Sequence, residues 1–266
     1  MRLTLAPLGN FDLGATAAVV IAFAAYRLHA LDASGALAAF FIGTATFGAL
    51  DFSGAAVLLA FFTSSIVLSR LGRERKRALA GDVGKLGARD AAQVMANGGV
   101  AALCALGTLW GNGHLAAAFG GAFAAATADT WGTEIGTAFG GAPRSIVSGK
   151  RIGAGLSGGV TVAGSLAELA GACFIAAIAA AFGLHAFWAI LAGGVAGALL
   201  DSLLGATLQG LRWCPQCRRP SEREPHGCGA NTRPLRGLTF LDNDGVNFLA
   251  TLGGAAVAYC VAAAFP

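Results

Sequence analysis

The chain has 266 residues, 12% of them charged and 56% hydrophobic, with 40 glycines, a mean hydropathy of +0.67 and a formal net charge of +4. An ordinary soluble domain is about 25% charged, so these figures exclude disorder, a fibrous protein and a disulfide scaffold, and they argue against a water-soluble enzyme. They predict an integral membrane protein of Gly- and Ala-rich helices, because small residues let helix backbones approach closely in lipid.

A helix crossing hydrocarbon needs about 20 apolar residues, with a lower bound near 17. Eight stretches are read as spans: 13–31, 33–50, 52–69, 91–111, 114–128, 156–182, 186–208 and 246–265. The second and third are separated only by Asp51 and the fifth is short, so counts of seven and nine stay open. Arg2 alone precedes the first apolar run and no small-residue cleavage site follows it, which does not read as a cleavable signal peptide. Residues 1–266 are expected to form one all-α membrane domain, a polytopic helix bundle with a small Cys/His loop.

Sixteen of the 18 Lys and Arg residues fall in three loops, 70–90, 140–152 and 209–236. With eight spans these loops follow the third, fifth and seventh helices and share one side, which the positive charge marks as cytoplasmic. Both chain ends then face outward, in an inner or plasma membrane. The basic residues sit in loops rather than on a continuous face, so no nucleic-acid partner is expected.

Ionisable groups within spans mark functional sites by default. Gln93 and Asn97 share a face of the fourth span; Asp129 is expected to close the fifth, with Glu134 five residues on; Asp201 lies near the inner end of the seventh; Asp242, Asn243, Asp244 and Asn247 open the eighth. Asp12, Asp32 and Asp51 read first as helix caps, and Asp242 or Asp244 could cap the last helix. Glu168, deeper in the sixth span, reads as a structural group.

The stretch from Ala128 to Gly159 is the densest. Carboxylates come first, then a Gly pair, then Arg144, Ser148, Lys150 and Arg151, and a Gly/Ser-rich run with Gly153, Ser157 and Gly158 that is expected to start a helix. Carboxylates bind a hard cation such as Mg²⁺, Lys and Arg neutralise phosphate, and a helix N-terminus favours an anion. One segment therefore carries the parts of a Mg²⁺–nucleotide site.

Cys104, Cys173 and Cys260 lie in apolar runs, where Cys behaves as a small hydrophobe. Within 209–245, Cys214, Cys217, His226 and Cys228 offer three thiolates and an imidazole, a full tetrahedral zinc set. A structural zinc knuckle is expected there, because a disulfide is disfavoured in a reducing cytosol.

Residues 81–99, 126–136 (ATADTWGTEIG), 148–161 (SGKRIGAGLSGGVT) and 241–247 (LDNDGVN) resemble, in the same order, an integral-membrane family catalogued as unknown-function domain ninety-two. Its members include the plastid phytyl-phosphate kinase of tocopherol synthesis and the vertebrate transmembrane protein nineteen. The resemblance implies a kinase that converts an isoprenyl monophosphate to its diphosphate. The order of Asp–Thr, Gly pair, Lys/Arg and Gly–Ser–Gly is also similar to CTP-using lipid kinases and CDP-diacylglycerol synthases, which favours CTP as donor.

Residues and resemblance together assign Asp129 and Glu134 to Mg²⁺, with Asp201 or Asp244 as a further ligand. Arg144, Ser148, Lys150 and Arg151 would hold nucleotide phosphates with Gly153, Ser157 and Gly158. Asn97 and Asn247 would orient phosphate oxygens or metal-bound water. The competing classes are a CTP-dependent lipid cytidylyltransferase and a non-enzymatic transporter or flippase.

Overall fold

The computed structural model describes residues 8–70 and 87–265. Most of the first basic loop, with Arg73, Arg75, Lys76, Arg77 and Lys85, lies outside the described residues. Among the described residues seven helices make the bundle: α1 Leu8–Arg27, α2 Ala33–Ser69, α3 Ala91–Gly107, α4 His114–Phe139, α5 Val162–Ala181, α6 Phe187–Thr207 and α7 Asn243–Ala264. Among the described residues, five helices are long and apolar enough to cross a membrane: α2, α3 with its 3₁₀ extension to Trp110, α5, α6 and α7.

The expected second and third spans are two halves of α2. Asp51 breaks the helix with φ 52° and ψ −143°, a conformation that non-glycine residues rarely take. A Cβ placed on Gly54 would lie 2.9 Å from Thr46 Cγ2, although a straight helix would hold these residues about 12 Å apart. The chain therefore folds back at Asp51, and 52–69 runs beside 33–50. Asp51 is a hinge rather than a cap, its carboxylate accepting only the adjacent Phe52 N–H at 2.9 Å.

Side chains fix the other helix starts. Asp32 caps α2 by accepting from Gly35 N–H at 2.8 Å. Asp90 and Gln93 form a capping box on α3. Thr161 caps α5 and Asp242 caps α7. Asp12 is no cap, since it lies inside α1.

Two boundaries differ from expectation. Helix α4 continues ten residues past Asp129 to Phe139 and stops at Gly140, ahead of the left-handed Gly141 and Pro143. Helix α5 begins at Val162, so 156–161 is not helical. Residues 144–160 instead form a small antiparallel pair, β1 Arg144–Ser145 with β2 Gly159–Val160.

Helix α4 lies at the centre. From Ala117 to Ala128 every residue is buried, the pattern of a helix surrounded by others. A three-stranded sheet follows α6, with β3 Leu211–Cys214 between β4 Arg219–Ser221 and β5 Arg233–Arg236, both antiparallel to it. Arg236 donates to the Ala206 and Gly205 carbonyls, tying this sheet to the last turn of α6. Gly158 packs on Ala206 at the same turn. The starts of α3 and α7 meet beside it, where Ala92 and Met95 share a groove with Asp244 and Phe248. The described parts of the three basic loops thus gather at one end of the bundle.

Candidate active site

The centre of the site follows from a register of small residues. Gly121, Ala125 and Asp129 recur every four residues on α4; Gly193, Gly197, Asp201 and Gly205 do so on α6. A four-residue repeat makes one ridge of a helix. The ridges run side by side in parallel: a Cβ on Gly193 would stand 3.2 Å from Gly121 Cα, and one on Gly197 would stand 2.3 Å from Ala125 Cβ. One turn further, Asp129 and Asp201 arrive opposite each other. Their carboxyl groups come close enough to interact directly.

Helix α7 closes the third side. The Gly197 position meets the Ala250 carbonyl at 2.8 Å, and that of Gly121 meets Ala258 Cβ at 2.4 Å. This antiparallel register brings the turn containing Asn247 to the level of the acid pair. Helix α5 contributes Glu168, whose Cγ lies 2.5 Å from where a Cβ on Gly132 would stand. Glu168 interacts electrostatically with both Asp129 and Asp201. The fourth carboxylate, Glu222, comes from the segment after β4 and also acts on Asp201.

Two carboxyl groups can meet this closely only with a proton or a cation between them. Asp201 Oδ2 is buried and has no hydrogen-bond partner among the described residues. Buried acceptors are normally satisfied. An oxygen-seeking divalent cation fits this donor set.

The Gly/Ser loop lies against the end of α6. Ser157 N–H donates to Glu222 Oε1 at 2.7 Å, and Gln209 Nε2 donates to Glu222 Oε2 at 3.1 Å. Burial pushes the Glu222 carboxyl above its ordinary pKa, against the hydrogen bonds from Ser157 and Gln209. Within the loop, Ser145 N–H donates to Lys150 O at 2.9 Å and Ile146 N–H to Gly158 O at 3.0 Å. Arg144, Ser148, Lys150 and Arg151 are exposed on its outer part. Arg144 spends a donor on the Gly149 carbonyl at 2.9 Å. Among the described residues, Lys150 and Arg151 form no ion pair with the carboxylates. Gly153, Ser157 and Gly158 belong to turns and to the approach of β2, so the expected helix start is not built from them.

Three expected residues stand apart from the acid pair. Glu134, five residues after Asp129, is turned about 140° around α4. Asn97 donates its side-chain amide to Gln93 O at 2.8 Å and lines an apolar cavity with Arg89 and Gln93. Asp244 faces the groove between α3 and α7. The sequence reading passed over Glu222, which shares its loop with Glu224 and carries no distinguishing signal. Glu168, expected as a structural group, is brought by α5 against Gly132 of α4, beside the acid pair.

The Cys/His group is assembled. One ligand atom each from Cys214, Cys217, His226 and Cys228 lies within 4.8 Å of the others. The Cys214 and Cys228 sulfurs are 3.7 Å apart, close to the edge of about 3.8 Å that Zn–S bonds of about 2.3 Å give a tetrahedron. The backbone at Ala230 and the His226 side chain lower the Cys228 thiol to about 6, while hydrogen bonding to Cys228 raises Cys217 to about 11. These four residues could hold a metal ion.

A family model described as "Integral membrane protein DUF92" matches residues 16–255. The chain is 34% identical over 265 residues to "Protein PGR" of Arabidopsis thaliana, covering 88% of this chain and 89% of that protein. It is 31% identical over 196 residues to an uncharacterized membrane protein of Methanocaldococcus jannaschii, covering 71% of this chain and 79% of that one. It is 27% identical over 196 residues to "Protein VTE6, chloroplastic" of Arabidopsis thaliana, covering 69% and 59%. No solved structure matches.

Proposed function

We propose that this chain, which belongs to the DUF92 family of integral membrane proteins, is a membrane-embedded isoprenyl-phosphate kinase using CTP or another nucleoside triphosphate. An oxygen of the prenyl monophosphate attacks the γ-phosphorus. The bond between γ-phosphorus and the β–γ bridging oxygen breaks, its electron pair leaves with the nucleoside diphosphate, and a prenyl diphosphate forms. Phosphate is largely dianionic at neutral pH, so little general-base help is needed and catalysis rests on positioning and charge neutralisation.

The observation that carries this reading is the close pair Asp129–Asp201, whose Asp201 Oδ2 has no hydrogen-bond partner among the described residues, one turn from where the glycine-rich loop that follows Arg144, Lys150 and Arg151 packs on α6. Asp129 and Asp201 would hold Mg²⁺, with Glu168 and the Asn247 turn nearby; when bound, the ion would neutralise phosphate charge. The exposed cations of 144–151 would receive the nucleotide phosphates, and backbone N–H groups of the loop would approach them. Small-residue helix faces would admit the lipid tail. The Cys/His group would hold a structural zinc, and the loop-bearing end would face the cytoplasm. Asp201 lies six residues before the end of α6, about 9 Å along the axis, which suits a headgroup-level reaction better than a transporter's midplane site.

Purified protein should convert a prenyl monophosphate to its diphosphate only when Mg²⁺ and CTP or ATP are both supplied. A CDP-lipid product would make it a cytidylyltransferase instead. No consumption of any nucleotide in the presence of acceptor would reject the reading.

A further inference from the structure

The metal-binding ribbon and the intramembrane carboxylates are joined by one side chain. Glu222 follows β4 directly and lies four residues before His226. Through Oε1 it holds the Ser157 N–H of the Gly/Ser loop, through Oε2 it holds Gln209 at the root of the ribbon, and its charge reaches Asp201. Ser157 and Gly158 are pressed against Gly205 and Ala206, one turn from Asp201. Whatever fixes Glu222 therefore fixes the loop over the acid pair.

The strands alone fix it poorly. They have four, three and four residues, and all of β5 is exposed. So short a sheet does not hold its shape in water without a further crosslink. Arg212 of β3 ties to Glu224 and Thr232, and a stronger crosslink is offered by the Cys214–Cys217–His226–Cys228 group, whose ligands come from the end of β3, the β3–β4 turn and the segment after Glu222.

We propose that zinc bound by Cys214, Cys217, His226 and Cys228 sets the position of Glu222, and that Glu222 is a positioning residue pinning the 153–158 loop over Asp129 and Asp201. Metal occupancy of the ribbon thereby governs the order of the nucleotide loop. This rests on zinc being the ion held by the ribbon, but not on the kinase chemistry.

Hydrogen exchange read by mass spectrometry on the full-length holoprotein in detergent tests it. Stripping zinc with a chelator should speed exchange in the peptide covering 153–160 at least about tenfold, the scale of one lost hydrogen bond to a charged acceptor. Zinc re-addition should restore protection, and exchange across 170–181 of α5 should stay constant throughout. Glu222→Ala should reproduce the fast exchange while keeping one zinc per chain. Glu222→Gln should stay near wild type, because its carbonyl still accepts from Ser157. Gln209, whose Oε1 is buried without a partner among the described residues, can turn its amide to accept the new N–H. Absence of zinc from the purified protein, unchanged 153–160 exchange on chelation, or wild-type protection in Glu222→Ala would each overturn the proposal. A protein that shows the coupling but makes no nucleotide-dependent product would refute the kinase reading alone.

Discussion

At Asp201 a carboxylate oxygen is buried with nothing among the described residues donating to it, and its other interactions are chiefly with acids. Such a group is expensive to keep unless a cation or proton is supplied. Asp129→Asn preserves size and hydrogen bonding but removes one of the two charges that would attract Mg²⁺. Nucleotide-dependent turnover should fall on the order of 10²–10³, as for a lost transition-state charge contact, while detergent-solubilised yield stays at the wild-type level. Unchanged turnover would remove Asp129 from the mechanism. Lys150→Ala should act mainly through the KM for nucleotide, because Lys150 is exposed on the loop and, among the described residues, forms no ion pair with the acids. Asp129 and Asp201 were legible as acids at the ends of apolar runs, but their pairing was hidden because it depends on two ridges meeting. Glu222 was hidden more deeply, since a loop acid declares its partner only once Ser157 and Gln209 are brought to it.

Among the elements, α4, α6 and α7 pack almost without side chains between them. In lipid such contacts are held by van der Waals packing rather than by the hydrophobic effect. Gly197→Leu would drive a side chain into Ala125 Cβ and the Ala250 carbonyl, at a cost of about 1–3 kcal/mol or more. Its thermal midpoint in detergent should drop and activity with it. Gly113→Ala, where nothing lies within 4 Å, should leave both unchanged. On the proposed reading the ribbon differs, since a zinc ion held by its Cys/His group would supply its cohesion. Elemental analysis should find one zinc per chain in the wild type, and Cys214→Ser with Cys217→Ser should abolish it. Equal zinc in both proteins would rule the site out. The spacing of these ligands was readable in the chain, as was the apolar character of each helix. The end of α4 was misplaced: Asp129 looked like a terminus, whereas the stop is written ten residues later in Gly140-Gly141 and Pro143.

For the whole molecule, the described basic loops share one end, and Gly113 and Phe182 lie at the other, where Ser53 bonds the Phe182 carbonyl and Asn112 bonds the Tyr259 hydroxyl at 3.0 Å. The positive-inside rule then gives an orientation. An impermeant maleimide added to intact cells should label Gly113→Cys and should reach Ser148→Cys only after permeabilisation. Labelling of Ser148→Cys in intact cells would invert the topology. The membrane-helix class was legible from composition alone. The break at Asp51 was readable too, although a one-residue hinge lacks the polar linker that ordinarily marks a helix boundary.

The parallel ridges also restrict how this chain can change length. Gly121 to Asp129 and Gly193 to Asp201 are equal intervals on neighbouring helices. One residue inserted into either would swing its carboxyl about 100° around the axis and shift it about 1.5 Å along it, and no side-chain rotation would bring the pair together again. An insertion in the other helix would not repair this, because both acids would then turn in the same sense and face apart. Insertions and deletions accumulated by related chains should therefore fall in 70–90, 140–158 and 209–242, leaving these two intervals at fixed length. An alignment of relatives carrying single-residue gaps inside either interval, with both acids retained, would contradict the register on which the site depends.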